Sequence, residues 1–375
     1  MIFWACAALI VAYLLVERTI LQRNRKAVPL RIHIYGTRGK TGLTRQVIEL
    51  LRQNGIKALG RTTGDAPLIH APDGETLAQK RLGPPNIREY LNCLSRARKS
   101  GCQALVMECM ALSPENVYAA GKILQPGLVL LTNTRPDHYE SQGPDDDDIV
   151  RTLSLSMSAG SQVYALADAG TAILRKRAEN SGNNLVLLEE ADLSPGQENA
   201  RLANCLAGQL ELAPLPAPEP DWPEFRSIRA DTGETWCFLD LFSANDVLSS
   251  KRLLNRALSR LPLERRNLPL AALLAARADR PLRTRAFADW LALETLFTLC
   301  CPAGSHALYA AQRLRAGGAC ILPGFHAATR PEKLLRAVAK SVGQTGGRAD
   351  FLLVGLGNSH GYGERFRTYI AERTG

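Results

Sequence analysis

Gly36-Thr37-Arg38-Gly39-Lys40-Thr41 concentrates more chemistry than any other stretch of the chain. It follows Leu30 to Tyr35, which reads as a strand, and opens a helical pattern from Lys40 to Asn54. Leu43, Val47, Leu50 and Leu51 share one face of that helix, and Gly55 stops it. Backbone N–H groups in such a turn cradle phosphate oxygens, and the helix N-terminus favours their charge. Lys40 then neutralises the outer phosphates, and the Thr41 hydroxyl reaches Mg²⁺. The pattern is the short form GxxGKT. Ile34 stands where the longer phosphate-loop pattern requires Gly.

Two more stretches end apolar, strand-like runs, the positions at which open α/β sheets bind ligands. Gln103 to Glu108 closes on a carboxylate. A carboxylate there is costly unless paired or metal-bound, so Glu108 is a second magnesium candidate. Leu128 to Leu131 leads into Thr132-Asn133-Thr134-Arg135-Pro136-Asp137-His138. His138 reads as a metal ligand or a base, set against the commoner structural role of a single loop histidine; Mg²⁺ prefers oxygen. Thr62, Thr63 and Gly64 form either a substrate loop or an ordinary turn, and Arg61 is a candidate partner for a substrate carboxylate.

The elements that position these groups alternate along the chain. Asn86 to Lys99 reads as a helix between strands, the signature of a parallel sheet covered by helices. Ala213 to Phe225 holds five prolines in thirteen residues and reads as a linker or loop. Beyond it, Trp236 to Leu241, Leu268 to Ala275, Ala319 to Leu322 and Phe351 to Gly355 read as strands. Val247 to Ser259 and Pro281 to Phe297 read as helices. Asp145 to Asp148 suits a solvated helix start. Arg277, Arg280, Arg283 and Arg285 are either a solvated helix start or an anion contact. Gly355, Gly357 and Asn358 form a tight turn, structural or ligand-contacting.

Ile2 to Val16 is fifteen apolar residues without a charge. As a helix it spans about 22 Å, against a hydrocarbon core of ~30 Å. Snorkelling of Arg18 extends the span to roughly 20 residues. Arg18, Arg23, Arg25 and Lys26 follow the run and none precedes it. That order is opposite to a secretory signal and places the rest of the chain in the cytoplasm. The competing reading is a buried N-terminal helix. With 375 residues, the expected division is an anchor with its basic flank at 1–26, a P-loop ATP-binding domain at 27–222 and a smaller C-terminal α/β domain at 223–375.

The formal charge of +10 suggests a polyanionic partner. With no recognition motif and 6% aromatics, nucleic acid is set aside. Nine cysteines, an odd number with Cys300 beside Cys301, read as free thiols in a reducing compartment. Cys109, Cys300, Cys301 and Cys320 with His306 and His326 lack zinc-site spacing.

Taken together, the phosphate loop, the strand-end Glu108 and Thr132-Asn133 with Asp137-His138 resemble the Mur ligase superfamily. Within it the chain is similar to the poly-γ-glutamate synthase ligase subunits (PgsB or CapB). Pro29 to Thr41 fits their P-x-R-[IV]-x-[IV]-x-G-x-R-G-K-[ST] segment. Thr62-Thr63-Gly64, Pro85-Asn86-Ile87, Glu108-Cys109-Met110-Ala111, Ala244-Asn245-Asp246, Arg277 to Arg280 and Gly355 to Asn358 match as well. Gly42-Leu43, Arg135-Pro136 and the proline-rich segment depart from the pattern.

The resemblance implies an α/β fold with a parallel sheet and an N-terminal transmembrane helix in a bacterial inner membrane. It also implies an ADP-forming ligase that uses ATP with Mg²⁺, or Mn²⁺ in its place, to join glutamate to poly-γ-glutamate through an acyl phosphate. By the same resemblance Gly36, Thr37, Arg38, Gly39 and Lys40 hold the phosphates. Thr41 and Glu108 hold the first metal, and His138 holds a second. Asn133 and the Thr62 loop face substrate. Asp246 reaches ribose, Arg280 or Arg283 reaches an anionic group, and the C-terminal domain closes over the nucleotide. The implied partners are a small multi-spanning subunit (PgsC or CapC), an accessory subunit (PgsA or CapA) and further copies of the chain. A membrane-tethered kinase or ATPase, and a nucleotide-binding scaffold, are the competing functions.

Overall fold

The computed structural model describes residues 2–63, 67–79, 81, 83, 85–135, 142–143, 145–167, 171–189, 193–229, 235–346 and 350–373. They form two compact units, Met1–Asp221 and Trp222–Gly375. The first unit runs α1 (Ile2–Ala27), β1 (Leu30–Tyr35), α2 (Lys40–Gln53), β2 (Ala58–Thr62), β3 (Leu68–His70), β4 (Thr76–Ala78), α3 (Glu89–Lys99) and β5 (Ala104–Glu108). It continues with α4 (Pro114–Leu124), β6 (Leu128–Leu131), α5 (Asp146–Ser154), β7 (Gln162–Leu166), α6 (Thr171–Ser181), β8 (Asn184–Leu188) and α7 (Pro195–Gln209).

The sheet order is β4-β3-β2-β5-β1-β6-β7-β8. β2, β5, β1, β6, β7 and β8 are mutually parallel. β3 and β4 complete one edge antiparallel. β1 is central because its alternate residues feed two cores. Ile32 and Ile34 pack with Leu43, Val47, Leu202 and Leu206. Tyr35, on the other face, packs with Val129, Leu131 and Leu153. A strand buried on both faces requires a near-continuous apolar run, and His33 is the exception. Its Nε2 lies 3.0 Å from the Tyr90 hydroxyl, and its Nδ1 has no partner among the described residues. Burial pushes the ring down to about 3.

The last turns of α1 are fixed to this unit. Leu21 packs on the α3–α4 cluster, and Asn24 Oδ1 accepts from Arg98 Nε at 2.7 Å. Arg25 and Arg31 bond carbonyls at the C-terminus of α4, where cations offset unpaired acceptors. Ile2, Phe3, Trp4, Leu9, Ile10 and Leu15 stand exposed on the rest of the helix. By length and composition α1 can cross a membrane.

The proline-rich segment forms no regular element from 212 to 225. Paired asparagine bonds lay it along the unit: Asn54 to Ala213 at 2.9 and 3.0 Å, and Asn204 to Leu215 at 3.0 and 3.1 Å.

The second unit contains β9 (Arg226–Arg229), β10 (Thr235–Asp240), α8 (Val247–Ser259), β11 (Leu270–Ala276), α9 (Pro281–Leu293) and β12 (Leu299–Gly304). α10 (Ala307–Ala316), α11 (Pro331–Gly346), β13 (Phe351–Gly357) and α12 (Tyr362–Ala371) complete it. Its order is β12-β11-β13-β10-β9, with only β9 antiparallel. Helices pack on both faces.

The structure corrects several boundaries. The helix expected from Asn86 starts at Glu89, and the one expected to reach Phe297 ends at Leu293. Ala319 to Leu322 is not a strand: only Ile321 bridges, to Cys300, because Pro323 and Gly324 follow at once.

Candidate active site

Parallel register brings three separate stretches to one sheet edge. Ile34 pairs with Glu108 on β5, and Tyr35 pairs with Leu131 on β6. The residues that follow β1 therefore emerge between the end of β5 and the start of the Thr132-Asn133 segment. This is where strand order diverges around the central strand, the usual ligand crevice of such sheets.

The loop from Gly36 to Thr41 depends on two glycines. Gly36 has φ +128° and Gly39 has φ +77°, values that side chains with a Cβ rarely adopt. A Cβ on Gly36 would also land on Thr132 Oγ1 and Asn133 O. The segment after β6 braces the loop. Thr37 N donates to Asn133 O at 3.2 Å, and Thr37 Oγ1 to Asn133 Oδ1 at 2.5 Å. Asn133 Nδ2 donates to Arg38 O at 3.2 Å. Asn133 is thus almost wholly buried and spends its amide on the loop.

Lys40 folds back over the same turn, its Nζ 2.7 Å from Gly36 O and 3.2 Å from Thr37 O. Thr41 Oγ1 lies 3.0 Å from each oxygen of Glu108. Thr63, the residue after β2, donates its N–H to Glu108 Oε2 at 2.8 Å and its hydroxyl to Oε1 at 2.7 Å. One carboxylate and two hydroxyls therefore meet at the N-terminus of α2. Such oxygen donors suit Mg²⁺, which commonly takes one or two carboxylates and completes its shell with phosphate and water. No cluster of three or more His, Cys, Asp or Glu side chains is found among the described residues. The glycine-rich turn and the Glu108–Thr41 pair fit a nucleotide phosphate with its magnesium.

Gly64 and His138 lie outside the described residues. Arg61 and Thr62 lie within β2 and are buried. The carboxylate that Arg61 meets is the chain's own Glu89, while Arg61 Nε donates to Gln79 Oε1 at 2.8 Å. In the second unit, Asp246 caps α8 by accepting from Ser249 N at 2.7 Å and is 5% exposed. That is a helix-capping geometry. Arg280 sits at the cap position of α9, and Arg283 Nη1 donates to Asn245 Oδ1 at 2.9 Å and Asn358 Oδ1 at 3.2 Å.

One residue that braces the loop escaped the sequence. Asn199 on α7 donates Nδ2 to Gly39 O at 3.2 Å, and its side chain fills the space beside Gly39 and Gly42. Nothing local marks it. The capping box Ser194-Pro195-Gly196-Gln197 does announce the helix that carries it.

Residues 225–373 match the model of the poly-gamma-glutamate synthase CapB C-terminal domain. The second unit is similar to that domain. The chain is 27% identical over 308 residues to PGA synthase CapB of Bacillus subtilis (strain 168), covering 76% of this chain and 77% of that protein. It is 25% identical over 303 residues to the capsule biosynthesis protein CapB of Bacillus anthracis, covering 76% of this chain but 65% of that protein. Among solved structures, MurF from Acinetobacter baumannii superposes with TM-score 0.61 at 12% identity, covering 96% of this chain and 80% of that one. E. coli FolC in complex with DHPP and ADP gives TM-score 0.58 at 15% identity, covering 95% and 93%. The chain is similar to the CapB proteins and has the fold of MurF and FolC.

Proposed function

We propose that the chain is an ATP-dependent amide ligase that lengthens poly-γ-glutamate at the cytoplasmic face of a membrane. One observation carries the reading most. The phosphate-loop Thr41 and the strand-end Glu108 lie 3.0 Å apart, beside Lys40, in a chain whose second unit is similar to the CapB C-terminal domain.

Joining a carboxylate to an amine in water is uphill, so the carboxylate must first be activated. Transfer of the γ-phosphoryl group of ATP to a carboxylate oxygen gives an acyl phosphate and ADP. The glutamate amine attacks the acyl carbon, loses a proton, and phosphate departs as the amide forms. The protein contributes position and charge. The glycine-rich turn from Gly36 to Lys40 holds phosphate oxygens, and Lys40 leaves its carbonyl contacts to neutralise them. Glu108 and Thr41 would hold Mg²⁺, which when bound would offset phosphate charge. Thr63 fixes the Glu108 carboxylate in place. His138 holds a second metal in this reading.

α1 is the anchor, with Arg18, Arg23 and Lys26 at the cytoplasmic boundary. Purified full-length protein supplied with ATP, Mg²⁺ and glutamate oligomers should release ADP in step with oligomers one residue longer. Release of ADP that ignores both glutamate and oligomer would favour a plain ATPase.

A further inference from the structure

Near the candidate site the first unit holds more positive charge than it needs. Glu89, the first residue of α3, is bound by Arg61 Nη2 and by Arg81 through Nε at 3.0 Å and Nη2 at 3.2 Å. Gln79 Nε2 donates to it at 2.9 Å and Asn86 N at 3.2 Å. Burial alone would raise the Glu89 pKa, but Arg81, the Asn86 amide and Arg61 outweigh it and hold the carboxyl below the ordinary range. With five donors its acceptor capacity is used up.

Two guanidinium groups share this one carboxylate, so the trio carries one net positive charge. Arg61 is fully buried, and its Nη1 has no partner among the described residues. An unmatched buried cation and an unpaired buried donor both cost free energy. One arginine would have neutralised Glu89. The second is explained if an anion completes the group, and the Arg81 side chain keeps 22% exposure through which to meet one.

The location fits. Arg61 pairs in register with Met107, the residue before Glu108, and Thr63 two residues on grips Glu108. α3 leads into the parallel strand β5, so its N-terminus lies at the same sheet end as the phosphate loop. From Arg61 to Thr63 the backbone covers about 7 Å.

We propose that Arg81, backed by Arg61, is an anion subsite for a carboxylate of the acidic substrate that does not itself react. The inference rests on the ligase reading and gives it a residue that reads acidity. Arg81 binds the carboxylate, Arg61 supplies charge from behind, and Glu89 orients both.

The test measures binding of a γ-glutamate oligomer, and of free glutamate, to full-length protein with a non-hydrolysable ATP analogue and Mg²⁺. An oligomer of γ-linked isoglutamine, its pendant α-carboxylates replaced by carboxamides, serves as control. Arg81→Gln should weaken oligomer binding about tenfold or more, as expected for a lost charge-assisted hydrogen bond. Arg81→Lys should recover part of it, and the isoglutamine oligomer should bind wild type and Arg81→Gln alike. If only free glutamate weakens, the bound carboxylate belongs to the incoming amino acid. Equal oligomer and glutamate affinities for wild type and Arg81→Gln, with unchanged melting, would overturn the subsite. Separately, wild type that binds the oligomer through Arg81 yet forms no amide contradicts the ligase reading and leaves the subsite standing. Wild type that forms amide with KM unmoved by Arg81→Gln does the reverse.

Discussion

Thr63 follows β2 and Glu108 ends the neighbouring β5, and Thr63 gives Glu108 two hydrogen bonds, from its N–H at 2.8 Å and its hydroxyl at 2.7 Å. Glu108 is 2% exposed, so these donors and the Thr41 hydroxyl stabilise a carboxylate that water barely reaches. The same contacts leave its position little freedom.

Thr63→Val should separate support from charge. It removes the hydroxyl bond while the backbone bond remains. The expected cost is about 1 kcal/mol of stability, with a several-fold higher Mg²⁺ requirement for ligation. Glu108→Gln keeps the shape and removes the charge, and should lower turnover about 10²-fold or more. A Mg²⁺ titration of both variants checks this; an unchanged Mg²⁺ midpoint in Thr63→Val would contradict the positioning role.

Gly36→Ala should be severe. The backbone there has φ +128°, and the new methyl meets Thr132 and Asn133, which are themselves held by the loop. Strain and overlap together should cost ~2–4 kcal/mol or distort the loop. Thermal melting and nucleotide binding report it, and a variant with native melting and native affinity would disprove the fit.

Acid should weaken the first unit through His33. The folded ring titrates at about 3, whereas an unfolded histidine titrates near 6.5. Below pH ~6.5 the unfolded chain takes a proton that the folded chain refuses, so stability is full above that value and falls as pH drops toward 3. At pH 5 the loss is about 2 kcal/mol. Urea titrations near neutral pH and near pH 5 should differ by roughly that amount more for wild type than for His33→Gln.

Removing residues 2–16 should abolish flotation with lipid vesicles while leaving the urea midpoint unchanged. The turns that dock on the unit, at Leu21, Asn24 and Arg25, remain. Continued flotation of the shortened chain would contradict anchoring by α1.

The candidate site was legible where one residue type has one strong physical meaning. Glycines before Lys40-Thr41 announce a phosphate turn, and a carboxylate ending an apolar run announces a partner. Contacts made by distant residues were hidden. Asn199 reaches Gly39 across 160 positions, and its type says nothing of its target. Arg61 looked available because sequence cannot show that Glu89, 28 positions on, lies against it. Asp246 was given to ribose by resemblance alone, and its role as the cap of α8 could not be read from its type. In the fold, long amphipathic runs such as Val247–Ser259 were readable, and the short strands β3, β4 and β9 were not, because three or four residues give too little periodicity.

The central claim is that ATP turnover at Lys40, Thr41 and Glu108 is coupled to amide formation. Full-length protein in vesicles, given ATP, Mg²⁺ and labelled glutamate with a γ-glutamate oligomer, should release one ADP for each residue added, and Lys40→Ala should do neither. Oligomer growth that persists in Lys40→Ala, or ADP release by wild type without growth, would contradict it.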